Sequence, residues 1–300
     1  MFKRIALATL SMALLVGSAF AQFTTTQAGP INSAGDEGDP GNGSFTSTYS
    51  GASSLFGSFS FSGTLTSVAS GTWVEDSAFA IHQTTALGGL TDVYLTPGSG
   101  QEYTTENVNF TTGGLFWFNS GSQYNFEAIE NFDDGAGTDA TWTNLEFMFS
   151  DSVTITNIGS FVAGTPVVID TTGSPGDIDT ELAAYTADGM LLDLNDDIDF
   201  DNDNFLSLID LGTLPVGDYN VVLGTFNSDF FDGFAIPGGG SGNFVVNVNG
   251  TQVSSGSLEA DKFHVMKFSI LGPTSAPEPG TLALLGLVAL PGVALLRRRK

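Results

Sequence analysis

Polar and apolar residues alternate along several segments of the chain, and such alternation is typical of β-strands with one buried face. In FGSFSFSGTLTSV, large apolar residues alternate with small polar ones. TWTNLEFMFS and KFHVMKFSIL repeat the pattern. The side chains predicted to point into the core from these three strands are Phe59, Phe61 and Leu65, then Leu145, Phe147 and Phe149, and finally Met266, Phe268 and Ile270.

A hairpin is predicted around Asp188–Gly189, because an Asp-Gly pair between strand-like segments is the strongest local signal for a tight turn. Residues 180–185 before the turn alternate between two faces, and GNFVVNVNG predicts a closing strand at 243–250. The chain has 38 glycines and 25 phenylalanines but few lysines or glutamates, which favours strands over helices. The predicted fold class is therefore all-β, with two β-sandwich or jelly-roll-like domains at 22–150 and 151–272.

The N-terminus has the three parts of a secretory signal peptide in order. Lys3 and Arg4 precede an apolar stretch, and Ala19 and Ala21 form an A-x-A cleavage site. Residues 1–21 are therefore predicted to form a signal helix that is removed on export. The alternative is a first buried helix of the mature fold.

The C-terminus combines an apolar run from Thr281 to Leu296 with a basic end. The run is a little shorter than the roughly twenty residues that span a bilayer as a helix. Because the bulk of the chain is exported, the positive-inside rule keeps the basic end in the cytoplasm. Pro277 and Pro279 hold the approach to this helix extended, which makes it accessible to a protease.

The last part of the chain, residues 273–300, resembles the PEP-CTERM sorting signal of Gram-negative bacteria. The residues that carry the resemblance are Pro277, Glu278, Pro279, Arg297, Arg298 and Arg299. The resemblance implies processing near the Pro-Glu-Pro motif by an exosortase, a membrane cysteine protease, after transient anchoring in the inner membrane. It also implies a location at the cell surface or outside the cell, in association with exopolysaccharide. The alternative is an ordinary membrane anchor that is never cut.

Two internal regions resemble known β-domains. SGTWVEDSAFAIHQ and NFEAIENFDDGAGTDATWTNLEFMF are similar to a jelly-roll domain of bacterial surface proteins, related to the proprotein convertase P-domain. DIDTELAAYTADGMLLDLNDD, followed by LPVGDYNVVLG, resembles the bacterial pre-peptidase C-terminal domain, which is a β-sandwich. Neither resemblance implies a catalytic function.

The charge of the mature chain is strongly acidic. Between Gln22 and Glu278 there are 33 acidic residues but only two basic ones, Lys262 and Lys267. Nucleic acid is excluded as a partner because phosphate binding requires Lys and Arg contacts. Such a surface attracts cations instead.

Acidic residues recur at alternate positions in NDDIDFDNDNFLSLID, and their spacing resembles an EF-hand calcium loop. The implied oxygen ligands are Asp199, Asp201, Asp203, the carbonyl group of Phe205, Ser207 and Asp210. Asn204 replaces the turn glycine, Asp210 replaces the bidentate glutamate, and no flanking helices are predicted. We therefore expect calcium in an irregular β-sandwich loop. The alternative is a solvated acidic loop.

No enzyme motif occurs in the chain. His82 and His264 are the only histidines, and neither is near a nucleophile and an acid in a recognisable pattern. Trp73, Trp117 and Trp142 are candidates for stacking on sugar rings, although core packing is their commoner role. The sequence therefore predicts a non-enzymatic, exported protein of the cell surface or extracellular matrix. The alternative is a carbohydrate-binding module of the exopolysaccharide.

Overall fold

The structure is a computed structural model that describes residues 22–68, 77–84, 90–95, 105–130, 137–176, 178–199 and 203–273. These residues form β-strands, turns and loops, so the predicted all-β class is confirmed for them. No helix in the described residues is both long and apolar enough to cross a membrane. The predicted signal helix and the predicted sorting helix lie outside the described residues. The chain divides into two compact units, Met1–Val153 and Thr154–Lys300.

The first unit is built from antiparallel strands. They are β1 (Phe23–Gln27), β2 (Ile31–Ser33), β3 (Ser44–Thr48), β4 (Ser54–Ser67), β5 (Ser77–Thr84), β6 (Leu90–Leu95), β7 (Thr105–Phe118), β8 (Gln123–Glu130) and β9 (Ala140–Ser152). One sheet contains the order β1-β9-β4-β7, with β2 also paired to β9, and the other has the order β3-β8-β5-β6.

Aromatic rings from the two sheets of the first unit meet in one core. The Phe147 ring on β9 lies 4.6 Å from that of Phe126 on β8 and 5.1 Å from that of Phe79 on β5. The predicted inward residues of β4 and β9 are all buried, which confirms the faces assigned from the sequence. Alternating aromatic residues therefore form the contact layer between the sheets.

Two irregularities in this unit break the alternation. The register of β4 shifts between Phe56 and Ser58, so that Phe56 and Phe59 are both fully buried although three positions apart. In β9, Asn144 has a positive φ of 54°, and it separates two residues of the same face, Trp142 and Leu145. Each extra residue is a β-bulge that restores the apolar side chains to the core side.

The second unit follows the same all-β plan. Its strands are β10 (Ile155–Val162), β11 (Pro166–Asp170), β12 (Thr180–Thr186), β13 (Leu191–Asn195), β14 (Leu208–Thr213), β15 (Gly217–Thr225), β16 (Asp229–Phe231), β17 (Phe234–Ile236), β18 (Gly242–Val248), β19 (Thr251–Leu258) and β20 (His264–Leu271). One sheet has the order β10-β20-β15-β12-β13, and a second has the order β14-β11-β18-β19. Strands β16 and β17 form a short hairpin.

The core of the second unit combines apolar residues from both of its sheets. The predicted inward residues of β20, Met266, Phe268 and Ile270, are buried and belong to this core, as expected. The predicted closing strand is β18. The predicted hairpin is also present, because β12 and β13 pair in antiparallel fashion around a turn in which Gly189 has a φ of 91°.

Strand β12 is buried on both faces. Leu182 and Ala184 point into the core of the unit, while Ala183 and Tyr185 on the opposite face are fully buried as well. The Tyr185 side chain interacts with the backbone of Phe231 at the end of β16, and burial raises its pKa. The β16–β17 hairpin therefore covers part of the outer face.

Candidate metal centre

A cluster of carboxylates lies at one end of the β12–β13 hairpin. Asp179 and Glu181 flank the first residue of β12, while Asp196 and Asp197 directly follow β13. Because Leu182 pairs with Asn195 in an antiparallel register, the start of β12 lies beside the end of β13. One carboxylate oxygen from each of the three aspartates lies within 4.8 Å of the other two. We call Asp179, Glu181, Asp196 and Asp197 the acidic cluster.

Several oxygens of the acidic cluster are shielded from water without a hydrogen-bond partner. Glu181 is only 7% exposed, and its Oε2 atom accepts no hydrogen bond. The Oδ1 atoms of Asp179 and Asp197 are likewise buried and accept none. A buried polar atom without a partner costs about 1–3 kcal/mol, and more if it is charged. Buried carboxylate oxygens without hydrogen-bond partners fit a site that binds a cation.

The electrostatics of the acidic cluster agree with its geometry. Burial, together with the charges of Asp196 and Asp197, raises the pKa of Asp179 to about 6. Burial and the charge of Asp196 raise the pKa of Glu181 to about 7, although backbone N–H groups of Ser228 and Asn227 lower it. Burial and Asp197 also raise the pKa of Asp196. The protein alone thus disfavours full ionisation of the acidic cluster.

Among the described residues, no basic side chain neutralises the charges of the acidic cluster. Lys267 pairs with Asp218 at 2.8 Å, away from the acidic cluster, and this bond lowers the pKa of Asp218. In the part of the chain that the structure describes, no lysine, arginine or histidine forms an ion pair with the four carboxylates. The acidic cluster is therefore a concentrated negative charge.

A cavity of about 270 Å³ adjoins the acidic cluster. Glu181, Asp196 and Asp229 contribute carboxylates to its lining, and Leu182, Leu194 and Phe230 contribute apolar surface. Asp196 and Leu194 are exposed, so the cavity opens to solvent. An ion at the acidic cluster would be reached through this opening.

The described parts of the calcium loop expected from the sequence, Asp199 and residues 203–210, lie close to the same region. Asp199 and Asn204 pair through their backbones, and Asp203 has a positive φ of 56°. Asp201 lies outside the described residues. Asp210 lies on β14, where its Oδ1 atom accepts a hydrogen bond from the N–H of Gly212 at 3.0 Å. The carboxylates of Asp199, Asp203 and Asp210 do not converge on one point in the described residues.

The other two ligands expected in that loop, Phe205 and Ser207, form hydrogen bonds beside the acidic cluster. The Phe205 carbonyl accepts a hydrogen bond from the N–H of Thr180 at 3.0 Å. The fully buried hydroxyl of Ser207 lies 2.8 Å from the carbonyl oxygen of Asp196 and also contacts that of Thr180. These bonds hold the segment after β13 against the start of β12. The loop therefore positions the acidic cluster.

Sequence reasoning missed the acidic cluster although one signal for it was present. Asp179 and Glu181 lie before the Asp188–Gly189 turn at about the distance at which Asp196 and Asp197 lie after it. Extending the predicted hairpin pairing outward places these acids beside one another. Like charges on opposed strands are destabilising unless a cation separates them.

The tryptophans that the structure describes lie in the first unit. Trp142 is fully buried, with its ring 5.0 Å from that of Phe79 and 5.4 Å from that of Phe61. Trp117 is 3% exposed. Both contribute to the core in this structure. Trp73 lies outside the described residues.

The histidines occupy two unrelated sites. His82 is buried, with Nδ1 3.5 Å from Glu37 Oε1 and Nε2 3.4 Å from Glu127 Oε2. His264 Nε2 lies 2.9 Å from Ser254 Oγ, and burial lowers the pKa of this histidine. The described residues place no carboxylate in an ion pair with the imidazole of His264, and so supply no acid for a catalytic triad with this serine–histidine pair.

The export and sorting residues predicted from the sequence lie outside the described residues. These are Ala19, Ala21, Pro277, Glu278, Pro279, Arg297, Arg298 and Arg299. No protein-family model matches the chain, and a comparison with curated proteins finds no match.

Proposed function

We propose that this chain is an exported, non-enzymatic protein of the bacterial cell surface that is processed by an exosortase and associates with exopolysaccharide. The observation that carries the proposal is the C-terminal order of Pro277-Glu278-Pro279, an apolar segment and a basic end, paired with a signal peptide at the N-terminus. An extracellular location is compatible with the acidic composition of the mature chain. Its partners are the exosortase during processing and the polysaccharide matrix afterwards.

The folded part of the protein is proposed to consist of two β-sandwich or jelly-roll-like domains. In the first, rings from β4, β5, β8 and β9 pack between two sheets. In the second, the shared core joins residues of both sheets, including Ile169 on β11 and Val221 on β15. Domains of this kind present stable surfaces and loops without requiring an active site.

The buried polar groups support a structural role. Glu130 Oε1 accepts hydrogen bonds from the hydroxyls of Ser33 and Ser77, with the second at 2.7 Å. In the second unit, the hydroxyls of Thr171 and Thr180 lie 2.8 Å apart in contact with Ser207. Both networks consist of hydrogen bonds between segments that are distant in sequence. Their side chains stabilise the packing of strands.

Intact-mass analysis of the protein from cells and from the medium tests the sorting proposal. We expect a mature form that starts near Gln22 and lacks the residues beyond Pro279. A Glu278→Gln variant should remain associated with cells and keep its basic end. The matched control is Glu259→Gln, which changes an exposed acid of the second unit and should be processed normally. An extracellular parent chain that still ends at Lys300 would refute processing at this motif.

The second candidate function is that of a carbohydrate-binding module. It is favoured by the cavity beside the acidic cluster, which combines Asn195 and Ser228 with the Phe230 ring, since sugars contact polar groups and aromatic faces together. Titration with a panel of bacterial polysaccharides separates the two candidates. Binding that is weakened at least tenfold in Phe230→Ala and retained in Phe231→Ala, an exposed neighbour, would support the module. Absence of binding across the panel would count against it.

A further inference from the structure

We propose that Asp179, Glu181, Asp196 and Asp197 together bind one calcium ion. Asp196 and Asp197 lie at the start of the acidic segment 195–210, but none of the six ligands expected from the EF-hand spacing belongs to this site. The proposal does not depend on the sorting or the partner of the protein. It rests on the convergence of carboxylate oxygens, on their burial without hydrogen-bond partners and on the absence of a basic partner among the described residues.

Convergence supplies the ligands. Three aspartate oxygens lie within 4.8 Å of one another, a separation that a single ion with bonds of about 2.3–2.6 Å bridges. The oxygens come from two segments held in register by the β12–β13 pairing and by the Phe205 and Ser207 hydrogen bonds. The site is therefore assembled by the fold before any ion arrives.

Burial leaves several oxygens of the acidic cluster without a hydrogen-bond partner. Glu181 is more than nine-tenths buried, lines the cavity beside Asp196 and leaves Oε2 without a hydrogen bond. The Oδ1 atoms of Asp179 and Asp197 are also buried and accept no hydrogen bond. A cation bound by the three converging aspartates would offset this buried negative charge, and Glu181 lies close enough to Asp196 and Asp179 to interact with them. A purely solvated acidic surface would expose these oxygens to water.

The donor set selects the kind of ion. All four groups are carboxylates, and hard oxygen ligands suit calcium, magnesium or manganese rather than zinc or copper. The site is irregular, and Asp196 faces solvent, so water completes the coordination shell. Calcium accepts six to eight ligands in flexible geometry, whereas magnesium demands a near-ideal octahedron. This arrangement favours calcium.

The test is the melting temperature of the purified full chain in EDTA, in calcium chloride and in magnesium chloride. Calcium at about a hundredfold its dissociation constant should raise the transition of the second unit by about 5–10 °C. A double Asp179→Asn, Asp196→Asn variant should lose this shift. In EDTA it should melt no lower than the parent, because the substitutions remove repulsion within the acidic cluster.

The matched control is a double Asp199→Asn, Asp201→Asn variant, which makes the same charge change in the neighbouring loop and should keep the calcium shift. Calorimetric titration with calcium chloride supplies a second measurement, in which Glu181→Gln alone should weaken affinity at least about tenfold. No shift in the parent would overturn the proposal, as would an equal shift in magnesium. Loss of the shift in the loop variant would also overturn it, because the loop would then contribute essential ligands.

Discussion

At the scale of single residues, the first unit depends on a few aromatic side chains that contact many others. Phe147 is fully buried, and its ring lies within about 6 Å of those of Phe45, Phe59, Phe61, Phe79 and Phe126. Aromatic pairs prefer edge-on or offset geometry over face-to-face stacking. All five of these contacts are tilted or edge-on. This residue therefore joins strands of both sheets.

Replacing Phe147 with alanine should lower the free energy of unfolding by about 3–5 kcal/mol, because it removes buried area and leaves a cavity among rigid rings. Val68, which is exposed near the end of β4, provides the control, since Val68→Ala should change stability by less than about 0.5 kcal/mol. Urea unfolding followed by tryptophan fluorescence measures both. Equal losses for the two variants would contradict this account of the core.

At the scale of elements, the β12–β13 hairpin has two roles. Its turn reverses the chain at Gly189. Its other end, where β12 begins and β13 ends, brings the acidic cluster together. The positive φ of Gly189 is a conformation that residues with a Cβ atom rarely adopt. Formation of the turn and geometry of the acidic cluster are therefore linked through the same strand pairing.

A Gly189→Ala variant should lose about 1–2 kcal/mol of stability through strain in the left-handed region. Gly239→Ala is the appropriate comparison, because Gly239 has ordinary backbone geometry and a Cβ atom there meets nothing within 4 Å. Chemical denaturation of both variants should show a lower midpoint only for Gly189→Ala. A midpoint for Gly189→Ala that matches the parent would mean that the turn has relaxed to another conformation.

At the scale of the whole molecule, the dominant feature is negative charge without compensating cations. Most carboxylates are dispersed over the surface, where water and salt screen them. The acidic cluster differs, because burial and mutual repulsion raise the pKa of Glu181 to about 7 and that of Asp179 to about 6. The folded protein thus holds protons there that the unfolded chain releases near pH 4.

In EDTA, stability should therefore fall as pH rises from about 4 to about 8. The folded state binds more protons than the unfolded state across this window, so that each deprotonation disfavours folding. Asp218, whose pKa is lowered by Lys267, acts in the opposite sense and at lower pH. Melting curves in EDTA at several pH values measure the trend. A Glu181→Gln variant should show a shallower decline, and a parent that becomes more stable towards pH 8 would contradict the raised pKa values.

Much of the architecture could be predicted from local sequence. The alternation in β4, β9 and β20 identified their buried faces, and the Asp-Gly pair identified a hairpin. These features depend on the two-residue period of a strand and on the backbone freedom of glycine, both of which are visible over a few residues. The acidity of the mature chain follows from composition alone. The terminal sorting signals stay predictions.

Other features were decided only by tertiary structure, because they depend on contacts between distant segments. The bulges that place Phe56 with Phe59 and Trp142 with Leu145 appear only when neighbouring strands fix the register. The β16–β17 hairpin covers part of the outer face of β12 at Tyr185. The local sequence of β12 does not indicate that a second hairpin packs on this face. The acidic cluster likewise depends on the pairing of β12 with β13 and on hydrogen bonds from a third segment. Asp196 and Asp197 at the start of the densest acidic run belong to the acidic cluster, whereas Asp199 and Asp203 do not. Charge density is a local property, whereas convergence of oxygens and exclusion of water are properties of the packed chain.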